Sequence, residues 1–186
     1  MDAEQGFELD YYDMHWVPRD VALQNDLIWR ANLFGGGRML PFVDRLRRVR
    51  NLGQYAKDQQ WDCGEGFITG ARGISGSAGH IVGKPYLPSV ALGPNGIDAT
   101  AIATAGKGPY ERPRSRARFT PPMLLIREHM DIPHGLWTGH YLTYSKRIVG
   151  FPAPASDAGK LQAIHEWLNR TRDILSKTPP ISGPLA

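Results

Sequence analysis

Met123-Leu124-Leu125-Ile126-Arg127-Glu128, set off by Pro121-Pro122, is an apolar run that reads as the best strand of the chain. Downstream, His140-Tyr141-Leu142-Thr143-Tyr144, Ser145-Lys146 and Arg147-Ile148-Val149-Gly150-Phe151 predict a hairpin. A helix is then expected from Ser156 or Asp157, with Leu161, Ile164, His165 and Leu168 on its apolar face. Pro179-Pro180 would stop it, and the tail 177–186 is expected to be mobile. Upstream, residues 81–88 predict an edge strand, because Pro85 cannot donate to a central ladder. Residues 64–70 read as one short strand between turns, and residues 71–79 as a flexible loop carrying Arg72. Residues 89–106 are small and weakly patterned and receive no assignment.

The N-terminal part is helical by pattern. Pro18-Arg19-Asp20 opens a helix with Val21, Leu23, Leu27, Ile28, Ala31 and Phe34 on one face. Gly35-Gly36-Gly37 ends it, since glycine tolerates the left-handed C-cap. A second helix begins near Pro41 with Phe42, Val43, Leu46 and Val49 as its stripe. Asn51 is placed to cap a third, short helix through Leu52, Tyr55 and Ala56 to about Trp61. Ahead of all three, residues 7–16 alternate aromatic and acidic side chains, as a strand or an extended arm. The expected class is α+β: N-terminal helices, a strand-rich mixed-sheet middle and a C-terminal helix. The expected divisions are 1–61, 62–176 and the tail 177–186.

Charge is unevenly placed. The formal net charge is +4, yet residues 1–26 hold seven acidic side chains against Arg19 alone, a net of −6, so the remainder carries +10. A basic body of this kind favours polyanionic partners, because each phosphate contact releases condensed counterions. Cys63 is the only cysteine, which excludes an internal disulfide and a thiolate metal cluster. The acidic start is unlike a signal peptide, and no apolar run approaches the roughly 20 residues that span a bilayer. A soluble cytoplasmic protein without membrane partners is expected.

Catalytic patterns are hard to find. Gly64, Gly66 and Gly70 miss the dinucleotide spacing, and Gly35-Gly36-Gly37-Arg38 lacks the Lys-Ser/Thr of a P-loop. His129, His134 and His140 are spaced by five and six, matching neither a helical nor a strand face, so they do not read as a zinc site. His165-Glu166 has Asn169 where a zinc-protease helix needs a second histidine. There is no Gly-x-Ser-x-Gly elbow, and Asp62 disfavours a thiolate at Cys63. The expectation is a chain with no catalytic residues.

The basic run is more informative. Residues 107–118 carry Lys107, Arg112, Arg114, Arg116 and Arg118 against Glu111, a net of +4. The four arginines repeat with period two. If the run is extended, as Pro109 and Pro113 encourage, they project on one side like a comb that meets successive phosphates or base edges. The competing reading is a loop whose arginines pair with carboxylates, such as those of the acidic arm. With Arg72 and Lys84, these residues form the predicted DNA-binding set: Arg72, Lys84, Lys107, Arg112, Arg114, Arg116 and Arg118.

Three strings carry a family resemblance. They are Trp29-Arg30-Ala31-Asn32-Leu33-Phe34-Gly35-Gly36-Gly37, Gly64-Glu65-Gly66-Phe67, and Phe119-Thr120-Pro121-Pro122-Met123-Leu124-Leu125-Ile126. Over residues 25–175 the chain resembles the C-terminal target-recognition region of N6-adenine DNA methyltransferases of restriction-modification systems. That family holds the flipped adenine with an Asn/Asp-Pro-Pro-Tyr/Phe string. Here Thr120-Pro121-Pro122-Met123 has neither the amide or carboxylate nor the aromatic, and the parallel-sheet catalytic domain has no room. The resemblance therefore implies a non-catalytic specificity module for double-stranded DNA. It implies no cofactor in this chain, with S-adenosylmethionine on a separate methyltransferase or nuclease subunit. The alternative is a protein-interaction or regulatory module that sets the same basic face against an acidic protein. A third possibility is an enzyme whose residues converge only in the fold.

Overall fold

A computed structural model of the chain describes residues 19–24, 45, 48–70, 78–129 and 131–177. The chain divides into two compact units, Met1–Leu52 and Gly53–Ala186. In the first, helix α1 (Arg19–Gln24) forms where Pro18-Arg19-Asp20 predicts a helix start, and Arg45 and Arg48 are helical. The aromatic–acidic arm, the glycine stop and most of the second helix lie outside the described residues. So do residues 71–77 and the tail from 178.

The short helix α2 (Leu52–Asp58) stops before the predicted Trp61. Gln60 adopts φ 59°, a left-handed turn that closes the helix, and the Trp61 N–H donates to Ala56 O at 2.9 Å. Trp61 is thereby folded back edge-on to Tyr55, with centroids 5.7 Å apart. The strands that follow are β1 (Gly64–Glu65), β2 (Ile68–Thr69), β3 (Pro85–Leu87), β4 (Leu92–Gly93), β5 (Gly96–Ile97), β6 (Ala103–Thr104), β7 (Tyr110–Arg112), β8 (Met123–Arg127), β9 (His134–Trp137), β10 (Thr143–Tyr144) and β11 (Ile148–Pro152). Helix α3 (Ala158–Lys177) closes the described chain. Short strands in several sheets between helices make the class α+β, as the pattern predicts.

The largest sheet has the order β1-β11-β8-β9 with every neighbour antiparallel. β8 lies inside it, and Met123, Leu124 and Leu125 are all 0% exposed. Met123 and Leu125 belong to a core with Phe67, Ile81, Leu87, Phe119, Tyr144 and Ile148. Helix α3 packs on β8 and β9, with Leu161 fully buried. Both faces of β8 are covered, so its run needs no polar alternation, and Pro121-Pro122 leads directly into it. Asp157, just before α3, accepts from Trp61 Nε1 at 3.0 Å and from Lys160 Nζ at 2.9 Å, tying the segment after α2 to the helix start.

Three sequence expectations are corrected. β10 and β11 are not a hairpin: β10 runs parallel to β3, pairing Thr143 with Tyr86, while β11 inserts between β1 and β8. The Ser145–Ile148 turn passes the chain from one sheet to another. β3 is not an edge strand but the middle of the sheet β10-β3-β6. Pro85 is tolerated there because it is the first residue of β3; its carbonyl accepts from Thr143 Oγ1 at 2.9 Å. Residues 64–70 are two strands rather than one, β1 on β11 and β2 on β7. Phe67 turns inward between them and meets the rings of Tyr86, Tyr110 and Phe119 at 5.0–6.4 Å. The unassigned residues 89–106 hold the hairpin β4–β5 and strand β6, with Asp98 accepting from the Thr100 N–H at 3.0 Å.

Tyr144 is the pivot of these exchanges. It is 0% exposed, its hydroxyl donates to Arg118 O at 3.0 Å, and burial pushes that hydroxyl's pKa up. Two glycines make room for it. A Cβ on Gly66 would lie 1.9 Å from Tyr144 O, and one on Gly150 would lie 1.8 Å from the Tyr144 hydroxyl.

Candidate nucleic-acid interface

The arginine run does not form a comb. β7 ends at Arg112, Arg114 takes φ 66°, Arg116 is αR, and Ala117–Phe119 is a 3-10 turn. A left-handed residue followed by a tight turn breaks the period-two projection, so alternate arginines face different surroundings.

Two of them turn inward. Arg118 Nε donates to Asp62 Oδ1 at 3.1 Å, its Nη2 contacts the same carboxylate, and its Nη1 donates to Glu65 O at 3.0 Å. Arg114 Nε donates to Gly66 O at 3.1 Å and its Nη2 reaches Glu65 at 3.4 Å. The Ser115 hydroxyl also donates to Asp62. This is the carboxylate-pairing reading of the run, with Asp62 and Glu65 as the partners. Burial acts to raise the Asp62 carboxyl, but the Ser115 hydroxyl, the Arg118 guanidinium and the charge of Arg114 outweigh it. The carboxyl is held below its ordinary value.

A pH dependence follows with a defined sign. A depressed carboxyl contributes stability that is complete above its unfolded value, about 3.9, and is lost as pH falls through the lowered folded value. Thermal denaturation of the wild type should therefore lose more stability between about pH 5 and about pH 3 than Asp62→Asn does. Equal acid sensitivity of the two proteins would contradict the role of Asp62. Arg118, whose side chain is 14% exposed, should cost about 2 kcal/mol when replaced by alanine, because Asp62 and Glu65 O then lose a charged donor. Chemical denaturation measures this loss.

Arg116 and Lys84 turn the other way. Both are exposed, and neither has a carboxylate within salt-bridge distance among the described residues. Lys84 ends a turn whose N–H donates to Ile81 O at 2.9 Å, with Gly83 at φ 71° beside it. Arg116 is fixed by its own carbonyl, which accepts from the Phe119 N–H and Thr120 Oγ1, each at 3.1 Å. Its guanidinium carbon lies 5.8 Å from the Tyr141 ring centroid, within cation–π range.

Lys84 and Arg116 line one cleft of about 450 Å3 with His80, His140 and Tyr141. His80 Nε2 lies 3.0 Å from Arg114 O; a carbonyl only accepts, so this nitrogen carries the proton. Trp137 Nε1 donates to His140 O at 2.8 Å and stands edge-on to the His140 ring at 5.3 Å. The Tyr141 hydroxyl is buried with no partner among the described residues, and burial raises its pKa against the opposing charge of Arg116. No carboxylate contributes to the described lining. Two cations and an aromatic face suit a phosphate next to a flat ring.

The predicted DNA-binding set is thus divided. Lys84 and Arg116 share the cleft, Lys107 and Arg112 are exposed outside its lining, and Arg114 and Arg118 hold the fold. Arg72 lies outside the described residues. Sequence reasoning missed His80, His140 and Tyr141, which reach Lys84 and Arg116 only through the β10–β3 pairing and the turn before β8. The histidines at 129, 134 and 140 do not converge: His129 pairs with Asp131 at 3.3 Å, His134 is buried and His140 is exposed. Among the described residues no helix is long and apolar enough to cross a membrane. Compared with family models, with curated proteins and with solved structures, the chain finds no match.

Proposed function

We propose that the chain is a non-catalytic DNA target-recognition module, resembling the specificity region of N6-adenine DNA methyltransferases and working with a separate catalytic subunit. One observation carries the reading: Lys84 and Arg116 stand without carboxylate partners, among the described residues, in a cleft that also presents the Tyr141 ring. Lys84 and Arg116 take phosphate oxygens, which position the protein on the duplex, and Arg116 keeps its guanidinium plane over Tyr141 while doing so. Lys107 and Arg112 add exposed positive charge that draws the polyanion in. S-adenosylmethionine and the methyl-transfer chemistry belong to the partner.

Selection of bound duplexes from a randomised pool tests the recognition half of this reading. The bound fraction should converge on a defined sequence. A bound pool as diverse as the input means general electrostatic binding only. Methyl transfer by the purified chain alone overturns the non-catalytic assignment.

A further inference from the structure

A second cleft, of about 360 Å3, is lined by residues of the β4–β5 hairpin, β9 and α3. Its polar wall is a pair of imidazoles. His134 on β9 is 2% exposed, and its ring meets that of His165 on α3 with centroids 5.3 Å apart at 73°. His134 Nδ1 lies 2.9 Å from Ile132 O, so it carries the proton and leaves Nε2 a lone-pair acceptor. That Nε2 is buried and has no partner among the described residues.

His165 has the opposite polarity. Asn169 directs its Oδ1 toward Arg172 Nη2 at 3.5 Å, and its Nδ2 faces His165 Nε2 at 3.2 Å. The amide donates, so His165 Nε2 is the acceptor and Nδ1 carries the proton. His165 Nδ1 is also buried without a partner among the described residues. An unanswered acceptor and an unanswered donor therefore lie within the wall of the cleft, both shielded from solvent. Buried groups of this kind are rare because each unmade bond is costly.

A hydroxyl answers both at once, donating to His134 Nε2 and accepting from the His165 Nδ1–H. Arg172 supplies the second element of recognition. Its guanidinium lines the cleft and is anchored on Pro94 O, and no carboxylate is present in the described lining. That charge disfavours a metal cation between the imidazoles and favours an anionic group. Trp137 adds an aromatic wall, and the volume falls in the range of small-molecule sites.

We propose that this cleft binds a small hydroxylated anion, with its hydroxyl between His134 and His165 and its anionic group on Arg172. The chemistry is common to hydroxycarboxylates and phosphorylated polyols. This site is independent of the DNA reading and survives its failure.

Calorimetry on the full chain with four probes tests it, alongside the histidine ring resonances in NMR. Malate and glycerol 3-phosphate carry both features; succinate lacks the hydroxyl, and glycerol lacks the anion. At least one of the first two should bind about tenfold or more tighter than its truncated counterpart and shift both the His134 and His165 signals. Preference for malate assigns a carboxylate and preference for glycerol 3-phosphate assigns a phosphate; either supports the site. Arg172→Gln, at a half-buried helix position that lines the cleft, should retain the fold by circular dichroism and lose that binding. The proposal is overturned if none of the probes binds at millimolar concentration. Equal binding of full and truncated probes, or undiminished binding by Arg172→Gln, overturns it as well.

Discussion

Replacing Lys84 and Arg116 together by alanine is expected to lower affinity for duplex DNA about tenfold or more at moderate salt while leaving the protein folded. Both side chains are exposed and no carboxylate among the described residues depends on either, so their loss leaves no buried charge behind. Arg116→Ala also removes the guanidinium from the Tyr141 face, adding a stacking loss to the ionic one. Arg114→Ala with Arg118→Ala is the matched control, removing the same amount of charge from the loop that carries Arg116. There the groups left behind are Asp62, Glu65 and the Gly66 carbonyl. That pair should lower stability far more than it lowers DNA affinity per folded molecule. Mobility shift and thermal denaturation on the two double variants separate the roles, and identical behaviour of the pairs would dissolve the distinction between them.

The largest stability effect is expected at Gly66. An added methyl would sit 1.9 Å from the Tyr144 carbonyl oxygen, which also accepts from the Phe67 N–H at 3.0 Å. The obstacle is backbone held by the β10–β3 pairing, so no rotamer change relieves it. Gly66→Ala should cost about 3 kcal/mol or more, a large share of a typical domain's stability, and lower Tm by roughly 10 °C. Gly159→Ala has the opposite sign. That glycine is in the first turn of α3 with nothing within 4 Å of an added Cβ, and alanine there should stabilise by about 0.5 kcal/mol. A Gly66→Ala protein as stable as the wild type would mean that Tyr144 is not held where the fold places it.

The parts legible from the chain were local. The apolar run 123–126 forms an inner strand because its burial on both faces is written in the run itself, and α3 follows from the spacing of Leu161, Ile164 and Leu168. What was not legible depends on partners distant in sequence. β10 leaves its apparent hairpin for β3, and nothing within residues 140–151 announces that choice. Pro85 argued for an edge strand, yet as the first residue of β3 it has no need of a ladder donor. The arginine run looked uniform by spacing; Asp62 and Glu65, about fifty residues earlier, sort it into an inward pair and an outward Arg116. Lys84 was singled out from the sequence as a basic residue, whereas its company of Arg116 and Tyr141 required the fold.

Salt dependence of duplex DNA binding is the most direct test of the cleft as a phosphate site. For the wild type, the logarithm of the binding constant should fall linearly with the logarithm of salt concentration. For Lys84→Ala with Arg116→Ala the slope should be shallower by about 2, one unit for each phosphate contact removed. Absence of duplex binding even at low salt, or a slope unchanged by the double substitution, would contradict DNA recognition through this cleft.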